Sequence, residues 1–323
     1  MSDTHLPEER AAKACKTLEA IVENIEKVII GKRAVVELCV VAMVSGGHVL
    51  IEDVPGVGKT SLASAMAKTV SCDFKRIQFT PDIMPSDVTG FSIYNQKSGD
   101  FEFRPGAVMS NIVLADEINR ASAKTQASLL EAMGERQVTV DSQTYPLAEP
   151  FMVLATQNPI DSFGTYPLPE AQIDRFMMKV SIGYPTPDEE VRVAMQAKHA
   201  RSELGAVVVG GDIVELRELA ESVHISEEAA RYIVDIVTAT RSHPDVMLGC
   251  SPRGTIALYA ACRTWALYKG RDYVMPDDAK YLAPHVLSHR MILTNEARIT
   301  GRSGSNVVNS VLRSVVVPRG QNK

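Results

Sequence analysis

Apolar positions along the chain fall into three rhythms. Between Pro7 and Val28 the residues Leu18, Ile21, Val22 and Ile25 recur at helical spacing, and Ala34–Ser45 repeats the pattern after a break at Gly31. Gly46-Gly47 stops that second helix, and the short run His48–Ile51 predicts a buried strand. Similar runs at Phe74–Phe79, Ile112–Asp116, Phe151–Thr156 and Phe176–Ile182 predict more strands, with helices over Lys59–Val70 and Ala123–Met133 between them. Strands alternating with helices specify the α/β class with a doubly wound, largely parallel sheet. Such sheets bind their ligands at the strand carboxyl ends.

Two segments break the alternation. Gly90-Phe91-Ser92-Ile93-Tyr94, a turn at Lys97-Ser98-Gly99-Asp100 and Phe101-Glu102-Phe103 alternate with period two, which predicts a β-hairpin. Gln137-Val138-Thr139-Val140, a turn near Asp141-Ser142 and Gln143-Thr144-Tyr145-Pro146 predict a second. Both inserts are expected to project from the sheet. A short hairpin needs a surface to bury against, so contact with a substrate or a neighbouring subunit stands beside the plain reading of a solvated decoration. Phe101, Phe103 and Tyr145 are the expected apolar anchors.

After Tyr184-Pro185-Thr186-Pro187 the period becomes purely helical. Asp188–His199, Ile213–Glu221, Glu227–His243, Thr255–Lys269 and Pro276–Leu287 read as helices, with Ser226 and Pro276-Asp277 as starts. A chain of 323 residues exceeds the size at which one core usually grows. The expected division is an αβα core over 1–185 and a helical lid over 186–323, with Trp265 and the methionines near Met291 in the lid core.

Composition adds little except exclusions. Apolar residues make up 45% and charged residues 23%, as in ordinary globular chains. The five cysteines are scattered and form no C-x-x-C pair, which favours a reducing compartment over a disulfide framework. The beginning of the chain has no apolar signal core and no apolar run approaches ~18 residues, so a cytoplasmic protein without membrane insertion is expected. Of the seven histidines only His285 and His289 stand at H-x-x-x-H spacing, and a protein-ligated metal cage is not expected. Residues 1–184 carry 17 basic and 23 acidic side chains, net −6, against 17 and 16, net +1, for the rest. Neither half is the basic body of a nucleic-acid motor.

The candidate chemistry begins after the first strand. Glu52-Asp53-Val54-Pro55-Gly56-Val57-Gly58-Lys59-Thr60 is a glycine turn opening the helix that starts with Lys59, Thr60 and Ser61. Its backbone N–H groups and helix N-terminus converge on one place, a cradle for a polyphosphate, with Lys59 on the β/γ oxygens and Thr60 on Mg²⁺. Asp53 stands where the common pattern G-x-x-x-x-G-K-[ST] has glycine. The run Asn111–Glu117 is an apolar strand ending on two acids, which is costly unless something cationic lies nearby. Asp116 is expected to hold Mg²⁺ through water, and Glu117 to orient the attacking water and take its proton. Asn158, after the strand Phe151–Thr156, positions that water or belongs to a simple Asn-Pro turn. Arg175, before the last strand, reaches outward to a neighbour's γ-phosphate or pairs with Asp174 or Glu170. Arg253, in Ser251-Pro252-Arg253-Gly254, senses the γ-phosphate or merely starts a helix.

Glu52–Thr60, Ala115-Asp116-Glu117-Ile118-Asn119-Arg120-Ala121, Ala155-Thr156-Gln157-Asn158-Pro159, the run from Gly164 to Gln172 and Asp174-Arg175-Phe176 together resemble the MoxR family of AAA+ ATPases. The resemblance extends from about Val28 to Arg253 and into the lid. It implies that Asp53 is an accepted form of the cradle, that Arg175 is an arginine finger, and that Asn158 and Arg253 are the first and second sensors. It sets Val28-Ile29-Ile30-Gly31 against adenine, and likens the hairpins to the helix-two and pre-sensor-one inserts. It further implies a homo-oligomeric ring, commonly a hexamer, that binds ATP and Mg²⁺. Such a ring acts as a chaperone assembling metal- or cofactor-containing enzymes, often with a von Willebrand factor A domain partner and a client complex.

Two function classes remain in view. A protein-remodelling ATPase uses the hairpins on a polypeptide, whereas an AAA+ nucleic-acid motor uses similar hairpins as levers. Lys97 and Arg104 are balanced by Asp100 and Glu102 in the first hairpin, and the second carries only Asp141. Tracking a phosphate backbone requires Lys or Arg, so the protein client is favoured. A regulatory switch with negligible turnover is disfavoured by Glu117.

Overall fold

The computed structural model describes residues 6–158, 166–196 and 204–318. Helices α1 (Glu8–Glu26) and α2 (Arg33–Val44) precede the first strand, β1 (Val49–Glu52). Helix α3 (Lys59–Thr69), strand β2 (Phe74–Gln78), the short helix α4 (Pro85–Thr89) and a hairpin of β3 (Gly90–Asn95) and β4 (Asp100–Pro105) follow. Next come β5 (Ile112–Asp116), α5 (Ala123–Glu135), a second hairpin of β6 (Gln137–Val140) and β7 (Gln143–Pro146), then β8 (Met152–Gln157), α6 (Glu170–Ile173) and β9 (Met178–Val180). The remainder is α7 (Pro187–Gln196), α8 (Gly210–Glu221), α9 (Glu227–Arg241), β10 (Val246–Leu248), α10 (Pro252–Tyr268), α11 (Pro276–Leu287), β11 (Ile292–Leu293), α12 (Asn295–Ile299) and α13 (Gly304–Ser314).

Five strands form one parallel sheet in the order β2-β5-β8-β1-β9. β5 and β8 are buried in all but their last residue, because helices cover both faces. That is why they read as continuous apolar runs. The expected last strand, Phe176–Ile182, shrinks to Met178–Val180 for a visible reason. The Phe176 carbonyl accepts from Arg290 and His289 of the lid, and the Ile182 N–H donates to the Asp53 carboxylate, so neither end joins the ladder.

The core does not divide at Pro185. Leu18, Ile21, Val36 and Val40 of α1 and α2 share one apolar cluster with Leu216, Ile233, Leu258 and Trp265 of the lid. Polar contacts reinforce the junction. The Tyr268 hydroxyl lies 2.8 Å from both the Glu19 and Glu37 carboxylates, and Arg33 pairs with Glu19, Glu26 and Glu37. Helix α10 starts three residues earlier than its periodicity suggests, since Pro252 suits a first helical position and the Ser251 hydroxyl accepts from the Arg253 N–H. Helices α12 and α13 and the β10-β11 ribbon were not legible in the pattern. His199, Pro159, Gly164 and Thr165 lie outside the described residues.

Both hairpins stand apart from the main sheet as separate two-stranded ribbons. They lean on one another. The Phe103 ring stacks on Tyr145 at 4.0 Å between centroids and 12° between planes. This corrects the expectation that both rings are free anchors, since each is half-buried by the other. Phe101 is 74% exposed and Tyr94, directly opposite it, 51%.

His48, at the amino end of β1, joins three elements. Its Nδ1 accepts from the Val153 N–H at 3.0 Å, so Nε2 carries the proton and donates to the Met133 carbonyl at 3.3 Å. Burial pushes its pKa down to about 4, and that of His289 down to about 3. The unfolded chain therefore takes up protons below about pH 6.5 that the folded chain refuses. Stability from both groups is complete above pH 6.5 and is lost as pH falls toward 4, by about 3 kcal/mol for His48. Urea unfolding between pH 7.5 and 4.5 should show this slope, and His48→Gln should flatten part of it.

Candidate functional site

The carboxyl ends of the strands carry one cluster. The turn after β1 places Gly56 and Gly58 at φ +88° and +95°, left-handed values that glycine adopts without strain. The N-terminus of α3, with Lys59, Thr60 and Ser61, faces the same cavity of about 370 Å³ as Asp116, Glu117 and Asn158. The Lys59 ammonium donates to the Asp53 carbonyl at 2.8 Å.

The two acids are held differently. Asp116 Oδ2 accepts from Arg76 at 2.7 and 3.2 Å, and Oδ1 accepts from the buried Thr156 hydroxyl at 2.6 Å. Glu117 has φ +56° and ψ +49°, a sparsely populated conformation for a non-glycine residue, and its N–H donates to Thr156 Oγ1 at 2.8 Å. That twist directs the two neighbouring carboxylates differently. Glu117 Oε2 accepts from Gln78 at 3.0 Å and from Arg120 at 3.2 Å. Arg76 and Gln78 were missed by motif reading. The signal was available, because parallel pairing of β2 with β5 sets Gln78 beside Asp116, and period two puts Arg76 on the same face.

Hard oxygen donors suit a divalent cation here. Among the described residues no group of three or more His, Cys, Asp or Glu side chains gathers as a metal cage. An ion would rest on the Thr60 hydroxyl, Asp116, substrate phosphates and water, the incomplete protein shell that Mg²⁺ accepts. An apolar groove with Val28 and Phe74 runs on from Thr60 and Ser61. Of the segment set against adenine, Val28 lines that groove, Ile29 is turned into the core, Ile30 is half-buried and Gly31 is exposed.

Arg175 and Arg253 lie elsewhere. Together with Arg136, Arg290 and Asp174 they line a cavity of about 350 Å³ that also takes in Gly47 and His48, hence at the amino end of β1. Arg290 is buried and bonded to the Asp174 carboxylate and to the carbonyls of Asp174, Phe176 and Val286. Ser251 donates to Asp174 Oδ2 at 2.8 Å. Arg136 pairs with Glu149 at 3.0 Å. Asp174 thus belongs to Arg290 rather than to its neighbour. Arg175 donates to the Leu130 carbonyl, and neither it nor Arg253 has a carboxylate partner among the described residues. The four-residue strand β1 spans about 13 Å, and it separates these two cations from the cradle of their own chain.

Comparisons with known proteins agree with this geometry. Residues 48–178 match the ATPase family associated with various cellular activities (AAA), and residues 238–311 match the AAA lid domain. Chaperone MoxR1 of Mycobacterium tuberculosis is 41% identical over 96% of this chain and 85% of its own length. Uncharacterized protein YeaC of Bacillus subtilis is 53% identical over 92% of this chain and 93% of its own. A crystal structure from Cytophaga hutchinsonii superposes with a TM-score of 0.90 at 40% identity, covering 97% of this chain and 98% of that one.

Two substitutions in this cluster test whether binding and chemistry are separate. If Lys59 meets the β/γ-phosphates, Lys59→Ala should weaken ATP affinity at least about tenfold. Glu117→Gln should bind ATP near-normally and lose hydrolysis about 10²-fold or more, since general-base contributions are of that size. Calorimetric titration with ATP and a phosphate-release assay check both, and near-normal turnover of the Gln variant would remove Glu117 from the chemistry.

Proposed function

Because the chain belongs to the MoxR family of AAA+ ATPases, we propose that it hydrolyses ATP with Mg²⁺ in a ring of identical subunits and remodels a protein client. The supporting observation is the division of the machinery between the two ends of one sheet. Cradle, Asp116, Glu117 and Asn158 sit at the carboxyl end, and Arg175 with Arg253 at the amino end. A head-to-tail interface brings the amino end of one subunit to the cradle of the next, and closes into a ring if the rotation closes.

In this reading Lys59 and the backbone of the turn bind the triphosphate, while Thr60 and Asp116 hold the Mg²⁺ that neutralises phosphate charge. Glu117 and Asn158 orient the attacking water, and Glu117 takes its proton. Arg175 and Arg253 reach the neighbour's γ-phosphate, where a cation of this kind accelerates hydrolysis roughly 10³–10⁵-fold. Residues 1–185 act as the core and 186–323 as the lid. By its kinship the ring is hexameric and cytoplasmic, and works as a chaperone with a von Willebrand factor A domain partner on a metal- or cofactor-containing enzyme complex.

Mixed rings test the shared site. Lys59→Ala and Arg175→Ala chains, each inactive alone, should regain part of the wild-type hydrolysis when mixed and exchanged. One interface type then pairs an intact cradle with an intact finger. No recovery in assemblies shown by mass to hold both chains would place Arg175 outside a neighbour's site.

The exposed face of the first hairpin tests the client class. Phe101→Ala with Tyr94→Ala should leave basal hydrolysis within about twofold of wild type and abolish client-dependent function, because exposed aromatic anchors dominate protein interfaces. DNA at about 150 mM salt should not stimulate hydrolysis, as neither hairpin offers net positive charge. Stimulation that survives this salt would favour a nucleic-acid motor.

A further inference from the structure

Asp53 replaces a glycine of the common cradle pattern, and its bonds explain what an acid does there. The carboxylate is 7% exposed and directed at the chain between β9 and α7. Oδ2 accepts from the Ile182 N–H at 2.5 Å, the Gly183 N–H at 2.8 Å and the Ser181 hydroxyl at 3.1 Å, while Oδ1 accepts from the Val54 N–H at 3.1 Å. Gly183 has φ +67°, a left-handed value that lets successive N–H groups point at one oxygen. The backbone of Asp53 is engaged as well. Its N–H donates to the Gln157 carbonyl, next to Asn158, and its carbonyl accepts from Lys59 at 2.8 Å.

One residue therefore joins three things: the cradle lysine, the strand end that carries Asn158, and the linker into the lid. We propose that Asp53 is a positioning residue that couples phosphate loading at the cradle to residues 181–186, the hinge of the lid. The inference rests on the ATPase reading above. A polyphosphate competes with the Asp53 carbonyl for the Lys59 ammonium. When that bond loosens, the peptide group of Asp53 is released on the cradle side while its carboxylate still grips the hinge. Lys32 donates to the Tyr184 carbonyl at 2.8 Å, so the hinge is also tied to the segment before α2. Glycine at position 53 would restore the common motif and yet leave the N–H of the buried Ile182 and that of Gly183 without their acceptor.

Hydrogen exchange on the full-length wild-type protein, with and without the slowly hydrolysed analogue ATPγS and Mg²⁺, is the direct test. The amides of Ile182 and Gly183 should change their exchange rate at least threefold on nucleotide binding. Asp53→Gly should still bind ATP within about tenfold of wild type, lose the nucleotide response of 181–190, and drop kcat at least about tenfold, since small misplacements of a reacting geometry cost this much. Asp53→Asn, which retains an acceptor oxygen but no charge, should fall between. Wild-type kcat together with an intact nucleotide response in Asp53→Gly overturns the proposal. Should that variant not fold, the wild-type measurement decides alone: ATP binding with unchanged exchange at 182 and 183 overturns the coupling and leaves the ATPase reading standing. A wild-type chain that binds no ATP in calorimetry overturns that reading, and this inference with it.

Discussion

In an all-parallel sheet every strand delivers its carboxyl end to the same edge, so polar loops gather there and the opposite edge receives the loops that enter the strands. This asymmetry governs the whole molecule. Glu52, Asp116 and Gln157 end neighbouring or near-neighbouring strands, which is why the cradle, the two acids and Asn158 meet without any long-range folding device. His48 and Asp174 precede strands, so Arg175 is delivered to the other edge together with the start of α10. A single subunit cannot fold these two sets together. In the proposed ring, a division of labour between subunits would follow from strand polarity before any side chain is considered.

The amino edge needs its own stabilisation, because it gathers four arginines around one cavity. Two are neutralised by carboxylates, Arg290 by Asp174 and Arg136 by Glu149. Arg290 is also saturated by backbone carbonyls of both the lid and the sheet. Removing one partner of such a buried pair typically costs about 3–5 kcal/mol. The lid and the Asp174-Arg175 segment are therefore fixed to each other within one chain, and the Ser251 hydroxyl adds the start of α10 to the same carboxylate. Ser251 and Arg290 of the lid thus both hold Asp174, the neighbour of Arg175. The shared apolar cluster of α1, α2 and α10 packs the lid directly on the helices that precede the sheet.

Much of this was legible in the sequence, for identifiable reasons. Buried parallel strands are uniformly apolar, so Ile112–Asp116 was found to the residue. The strands Gln137–Val140 and Gln143–Pro146 of the second hairpin were equally plain, since period two is unambiguous when both faces are partly wet. Cradle and paired acids were visible because their chemistry permits few residue types. What failed was contact between segments far apart in sequence. Arg76, Gln78 and Thr156 touch the acids only through register, and the stacking of Phe103 on Tyr145 depends on the angle between two inserts. Arg253 carries no local mark of its edge. Only the folded lid assigns it to Arg175 rather than to its own cradle.

Charged groups of both edges are already partnered within the chain. Lys59 rests on a carbonyl, Asp116 on Arg76, Glu117 on Gln78 and Arg120, and Arg175 on the Leu130 carbonyl. Nucleotide binding is then an exchange of partners and not the filling of a bare charged hole, so the net gain is a difference between two satisfied states. This has a kinetic side. A Glu117 held by Gln78 and Arg120 has its carboxylate turned to protein donors, and water activation requires at least one of those bonds to yield. In the proposed reading an isolated subunit would be restrained twice: Glu117 is engaged within the chain, and Arg175 lies at the other edge of the sheet. The proposed ring would lift both restraints where phosphate meets the cradle and a second subunit faces it, so that turnover is tied to assembly through the geometry of one sheet.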